Sequence, residues 1–349
     1  MVMAGRAPVL DAFRGLAVLL MLQVHLGFWW ARSLPEGDPL VGLGTALGGM
    51  AAPIFFTVAG SGLALSYSSR PGGFLGRSLK RGAALIVTGV IFTHLEMAVY
   101  GPLGWGVLQS LGVSVIVCAA AMRLGPAART MAGMAIMAVA PLMRHAFGIP
   151  DVLFSDDMMN VSSAAGYAQS ALLSGFFPLI PWMGLMLVGT SAGQWLFPRD
   201  GNCPGSKQLW PVFTISGFSV VAGVAGAVRG LPLEFFPPSL PFCFLASGIC
   251  LAALTVARLP DVRAGPAKPG APLVSIGRLS LTIFLAHHFI GYNIFLAAGL
   301  LRSIDLPATL AMVLVSWALA AALALLWARK GFRYSLEWLL GRLEGRPSK

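Results

Sequence analysis

The 349-residue chain is 57% hydrophobic and only 11% charged, against about 25% charged in a soluble domain. Its apolar residues run in blocks of about 20 rather than at amphipathic spacing, which excludes a water-soluble globular fold and, for want of short alternating segments, a transmembrane barrel. The net charge of +11, from 24 Lys and Arg against 13 Asp and Glu, is placed between the apolar blocks, a pattern of membrane topology rather than of nucleic-acid binding.

The predicted fold is all-α: a polytopic integral membrane protein of about ten transmembrane helices, because a helix satisfies its own backbone groups in lipid. The blocks lie at roughly 11–31, 46–67, 79–100, 105–122, 130–147, 172–197, 210–229, 239–258, 273–298 and 307–328. The sixth and ninth are long enough to tilt or to contain a break. Arg6, Arg70, Arg77, Lys80, Arg81, Arg123, Arg129, Arg199, Lys207, Arg258, Arg263, Lys268, Arg329, Lys330 and Arg333 fall in every second connection. The positive-inside rule then puts both the N- and C-termini in the cytoplasm. The opening run has no A-x-A cleavage site and reads as a retained first span. The expected organisation is one transmembrane domain over 1–330 and a cytoplasmic amphipathic tail over 331–349.

The first span, "LDAFRGLAVLLMLQVHLGFWW", carries Asp11, Arg14 and His25, although an ionisable group in hydrocarbon costs about 2.5–3.5 kcal/mol on insertion scales. Arg14 and His25 are 11 residues apart, which places them within roughly 20° of one helix face and about 16 Å apart along the axis. Arg14 is near the inner surface, where it either snorkels to the headgroups or faces a charged ligand. His25 is either a helix–helix hydrogen-bond partner or a proton acceptor. Asp11 reads as a helix-start residue or as partner to a nearby basic group.

Farther along, Ala59, Gly60 and Gly62 suit close helix packing. "GRSLKRG" gathers Arg77, Lys80 and Arg81 at the inner mouth of the third span, which serves both topology and a seat for phosphates. His94 and His145 read as interfacial. "FFPLIPWMG", with two prolines and Trp182, is either a helix break that exposes carbonyls or a span entrance with an interfacial tryptophan. "PDVRAGPAKPGAP" is an inside linker. In "SLTIFLAHH", preceded by Arg278, His287 and His288 point about 100° apart, so only one easily faces a given interior. Two adjacent histidines can bind a metal, but no carboxylate or cysteine accompanies them at ligand spacing, and Cys118, Cys203, Cys243 and Cys250 are scattered. No metal site is expected. "FRYSLEWLLGRLEGR", 332–346, reads as an amphipathic helix along the inner surface.

Several stretches together resemble the transmembrane acyltransferases, and more narrowly the bacterial relatives of heparan-α-glucosaminide N-acetyltransferase. They are "LDAFRGLAVLLMLQVH", "APIFFTVAGSGLALSYSSR", "GRSLKRGAALIVTGV", "GWGVLQSLGVSVIV", "FFPLIPWMGLMLVGTSAGQWL" and "IGRLSLTIFLAHH", in family order over about 14–288. The Arg14-x(10)-His25 spacing is also similar to the first-helix signature of the acyltransferase-three family. The resemblance implies an acyl group, acetyl by likeness, passed from cytoplasmic acyl-CoA to an acceptor reached within or across a bacterial inner membrane. It makes His25 the catalytic histidine and matches His287 to the histidine of a "YLxHQ"-like ending, with His288 where Gln is common. The eukaryotic sugar N-acetyltransferases have Asn at the position of His25 and a histidine in the next outer loop. The corresponding loop here, 31–44, has none, so their sugar substrate does not carry over.

A thioester is already activated, and its transfer to a hydroxyl or amine needs a base for the acceptor proton and a donor for the oxyanion. His25 would serve as that base or carry the acyl group itself. Arg14, Arg77, Lys80, Arg81 and Arg278 would hold the CoA phosphates, with Asp11 and Trp182 supporting. The acceptor would be a sugar, an envelope component or a lipid-like metabolite. A proton-coupled small-molecule transporter is the alternative, with a lipid-binding scaffold third; the spans hold few acidic residues for a proton relay.

Overall fold

The computed structural model describes residues 7–35, 37–96, 104–149, 161, 163–198, 204–259 and 271–345. Arg6, Arg199, Cys203, Arg263, Lys268 and all but the last two residues of the 260–272 linker lie outside them. The described residues are helical throughout, apart from connections and one isolated bridge between Ala31 and Ile304. Over the described residues each of the ten apolar blocks falls mainly on helix. Among the described residues six helices are long and apolar enough to cross a membrane, or seven with one bent pair. The remaining blocks miss that length and hydropathy for local reasons. Val107–Ala121 and Leu240–Val256 are short, and Phe74–Leu95 carries Arg77, Lys80 and Arg81 in its first turns. The sixth block is broken, with a 41° bend between Ala164–Ser174 and Leu179–Leu196.

The helices gather into two compact units. The first comprises Phe56–Arg263 and Leu343–Gly345. In it α4 (Phe74–Leu95) packs on α5 (Val107–Ala121), α6 (Pro126–Ala146) on α8 (Leu179–Leu196), and α9 (Ser206–Val228) on α10 (Leu240–Val256). Small residues permit these approaches, since lipid supplies no hydrophobic force between helices. A Cβ added at Gly82 or Gly112 would stand 2.7 Å from the other's carbonyl oxygen. Gly60 of α3 (Ala51–Ser69) meets the α8 backbone at Met186, Gly189 and Thr190, as the small residues of that span predict. Trp182 is fully buried among Phe56, Phe177, Phe235 and Phe242, which overturns the interfacial reading. The break it belongs to is real, for Ile180 inside α8 has non-helical φ −104° and ψ 108°.

The second unit comprises Ala7–Phe55 and Ala264–Arg342. Its centre is α1 (Pro8–Trp30), the most buried of the candidate spans. Against α1 pack α2 (Pro39–Gly49), α11 (Pro272–Arg278), α12 (Ser280–His288) and α14 (Leu306–Arg329). Leu310, Leu314, Val315, Leu319, Leu323 and Leu326 of α14 are exposed, an apolar face that only lipid solvates well.

The ninth block is interrupted at Leu279, φ −113° and ψ 20°, between α11 and α12. The new helix start is capped from the C-terminal segment. The Glu337 carboxylate accepts from Leu281 N (2.6 Å), Thr282 N (3.0 Å) and Thr282 Oγ1 (2.7 Å). This satisfies donors that a helix start leaves orphaned. Glu337 belongs to α15 (Leu336–Leu343), which is shorter than the predicted 332–346 because Phe332 and Tyr334 adopt φ 61° and 65°, outside helical space. Glu337→Ala is expected to lower stability by about 1.5–3 kcal/mol, the worth of hydrogen bonds to a charged group. Thermal unfolding in nanodiscs measures it, and an unchanged midpoint would mean the cap is idle.

Candidate functional site

α1 runs unbroken from Pro8 to Trp30, so Arg14 and His25 share one helix as their spacing requires. Its C-terminal end is fixed by backbone. Arg302 N donates to Trp29 O (2.8 Å), Ile304 N to Trp30 O (3.1 Å) and Arg32 N to Ile304 O (2.7 Å), which satisfies carbonyls that a helix end leaves open. Trp30 Nε1 donates to Gly291 O at 2.7 Å. These ties hold the last turns of α1, and with them His25, against the segment that follows His288.

α1 and α11 approach at backbone contact. A Cβ at Gly277 would collide with the Asp11 carbonyl, and one at Gly15 with the Leu273 carbonyl. The approach carries α12 alongside the C-terminal half of α1. His25 Nδ1 then lies 2.9 Å from His287 Nε2, although 262 residues separate them. Their rings stack at 18° with centroids 5.2 Å apart.

The neighbours assign the tautomers. His287 Nδ1 is 2.6 Å from the Phe284 carbonyl oxygen. A carbonyl only accepts, so Nδ1 donates and the neutral ring keeps its lone pair on Nε2. His25 Nδ1 must then donate to His287 Nε2. The lone pair of His25 is left on Nε2.

Trp29, one turn beyond His25, packs against both imidazoles of α12, with centroids 5.5 Å from His287 and 4.9 Å from His288. His288 is buried, and its centroid is 5.8 Å from that of His25. Both adjacent histidines therefore face α1, contrary to the expectation that only one would. The rings of His25 and Trp29 together cover the arc between them. From His288 the chain passes directly into a π-helical turn, Phe289–Ile294, a feature common near functional sites.

The remaining predicted residues divide. Arg14 Nη1 donates to Asp11 Oδ1 at 2.7 Å, so Asp11 is the partner of a nearby basic group. Arg278 lies over the Phe332 ring, 3.7 Å from its centroid. Arg77, Lys80, Arg81 and Trp182 belong to the first unit. There Arg77 donates to the carbonyls of Arg70 and Gly72, and Arg81 lies 3.7 Å from Glu344. Lys80 is exposed. Sequence reasoning missed Trp29, Phe284 and Glu337. The i, i+4 spacing of His25 and Trp29 on one stripe was a signal for the first.

Two family models match the chain. One, described as "Heparan-alpha-glucosaminide N-acetyltransferase, catalytic", covers residues 6–224. The other, described as a protein of unknown function (DUF418), covers residues 238–344. His25 lies in the first region, and His287 and His288 in the second. No curated protein matches the chain. With more than half of its length matched by the first model and its membrane-spanning helices, the chain belongs to the heparan-alpha-glucosaminide N-acetyltransferase catalytic family.

Proposed function

We propose that the protein is a membrane-embedded acyltransferase that moves an acyl group, acetyl in the first instance, from cytoplasmic acyl-CoA to a hydroxyl or amine. The observation that carries this reading is the His25–His287 pair, with the His25 Nε2 lone pair left over. That lone pair takes the proton of the acceptor as its oxygen or nitrogen attacks the thioester carbonyl. The C–S bond breaks, and the CoA thiolate recovers the proton from the His25 imidazolium. His287, as acceptor of the Nδ1 hydrogen, holds the ring in the working tautomer and favours the cation when it forms. The same lone pair would form the new bond if the acyl group passed through His25 itself.

Family membership favours this chemistry over transport. Arg14 and Arg278, in the unit that holds the histidines, are proposed to hold the CoA phosphates; the Arg77–Lys80–Arg81 group of the other unit is proposed separately as a phosphate seat. The bacterial inner membrane is the proposed location.

The test uses purified protein in nanodiscs with radiolabelled acetyl-CoA and membrane extract as acceptor source. Label transferred to extract with release of CoA is the expected result. His287→Ala should lower it about 10–100-fold, as loss of a residue that orients a working imidazole does. Donor binding without transfer in any extract, or no donor binding, counts against the reading. A burst of CoA release before acceptor is added would favour the acyl-histidine route.

A further inference from the structure

Three of the chain's five histidines meet at one place. One ring nitrogen from each of His25, His287 and His288 lies within 4.8 Å of the other two. Ligands on a tetrahedral ion with bonds of about 2.0–2.1 Å stand about 3.3 Å apart. The cluster therefore closes on an ion through side-chain movements of about 1 Å. His287 is already oriented as a metal ligand is, with Nδ1 donating to the Phe284 carbonyl and Nε2 turned inward. Spacing along the sequence shows only the His287–His288 pair; the fold adds the third imidazole.

We propose that His25, His287 and His288 form a binding site for one divalent transition ion of the zinc class. Imidazole donors select Zn²⁺, Co²⁺, Ni²⁺ or Cu²⁺ over Mg²⁺ and Ca²⁺, which take oxygen ligands. Three protein ligands leave a fourth position for water or an anion.

The proton on His25 makes the ion and acyl transfer mutually exclusive. A neutral imidazole carries one proton and one lone pair. Ligation through Nε2 uses the lone pair directly. Ligation of His287 through Nε2 breaks the 2.9 Å bond from His25 Nδ1 in either case, and ligation of His25 through Nδ1 also moves its proton to Nε2. In both cases no proton leaves the neutral ring, and Nε2 has no lone pair for an acceptor proton. This exclusion rests on the acyl-transfer reading; the binding itself does not.

The experiment is equilibrium dialysis of tag-free protein in nanodiscs against Zn²⁺ or Co²⁺, with metal analysis and the visible spectrum of the Co²⁺ form. One ion per chain and a tetrahedral Co²⁺ spectrum are expected, unaffected by excess Mg²⁺. His288→Ala should weaken binding at least 100-fold, with His288→Asn as a second variant of closer size. His94→Ala, at an exposed position, should leave binding unchanged. Absence of stoichiometric binding by wild type, or binding untouched by both His288 variants, overturns the site. Zn²⁺ should also inhibit acetyl transfer by wild type and not by His288→Ala, which retains the His25–His287 pair. Bound ion with undiminished transfer overturns the exclusion. Stoichiometric binding by a protein that transfers nothing supports the site and counts against the acyl-transfer reading.

Discussion

His25→Ala is expected to lower acyl transfer by about 10²–10⁴-fold, the usual contribution of a positioned general acid–base, while donor binding stays near wild type. The loss should exceed that of His287→Ala, because in the proposed mechanism His25 holds the working lone pair and His287 only aims it. The order of the two variants is the informative result. If His287→Ala were the more damaged, the roles would be reversed. If His25→Ala kept a tenth or more of the wild-type rate in a folded, donor-binding protein, the mechanism would be lost. Initial rates of CoA release with saturating acetyl-CoA, measured beside an acyl-CoA binding isotherm, separate chemistry from binding.

The second large effect is structural. Gly277→Ala adds one methyl group, and that methyl meets the Asp11 carbonyl carbon and oxygen and the Gly15 nitrogen, all main-chain atoms. No side chain there can swing aside, so α1 and α11 must separate. Overpacking of this kind costs about 1–3 kcal/mol, and more where the obstacle is backbone. Gly277→Ala is expected at the upper end, with a markedly lower unfolding midpoint by tryptophan fluorescence in nanodiscs. It should also lower transfer, because separating α1 from α11 lengthens the His25–His287 bond. Gly217→Ala is the control, since a Cβ there meets nothing within 4 Å and gains up to about 1 kcal/mol of helix propensity. Equal stability of the two variants would refute the account of the crossing.

Much of this architecture was legible in the sequence. Over the described residues every apolar block is mainly helix, and the sixth and ninth blocks, flagged by their length, both contain breaks. The shared face of Arg14 and His25 needed only 3.6 residues per turn. Local rules failed where partners come from far along the chain. Nothing near His25 announces that its Nδ1 meets His287, and nothing near Leu281 and Thr282 announces that a glutamate of the C-terminal segment caps them. Of the two readings of the Trp182 segment the helix break holds, but four phenylalanines enclose the ring that the other reading set at the interface. The expectation of no metal rested on ligand spacing along the chain, which does not see the third imidazole that another helix brings to His287 and His288.

The separation of 262 positions from His25 to His287 also sets a waiting time. At roughly 5–20 residues per second of synthesis, α1 is made about a quarter of a minute to a minute before the helix that completes its histidine pair. During that interval it has to sit in or beside the bilayer with its polar groups uncovered. The Arg14–Asp11 bond, closed within three residues of the same helix, needs no later partner and neutralises the charge at once. His25 carries no charge when neutral and loses less by waiting. The first helix is in this sense provisioned for its own biogenesis, and severing the local pair, as in Asp11→Asn, should show first as poor insertion of newly made chains.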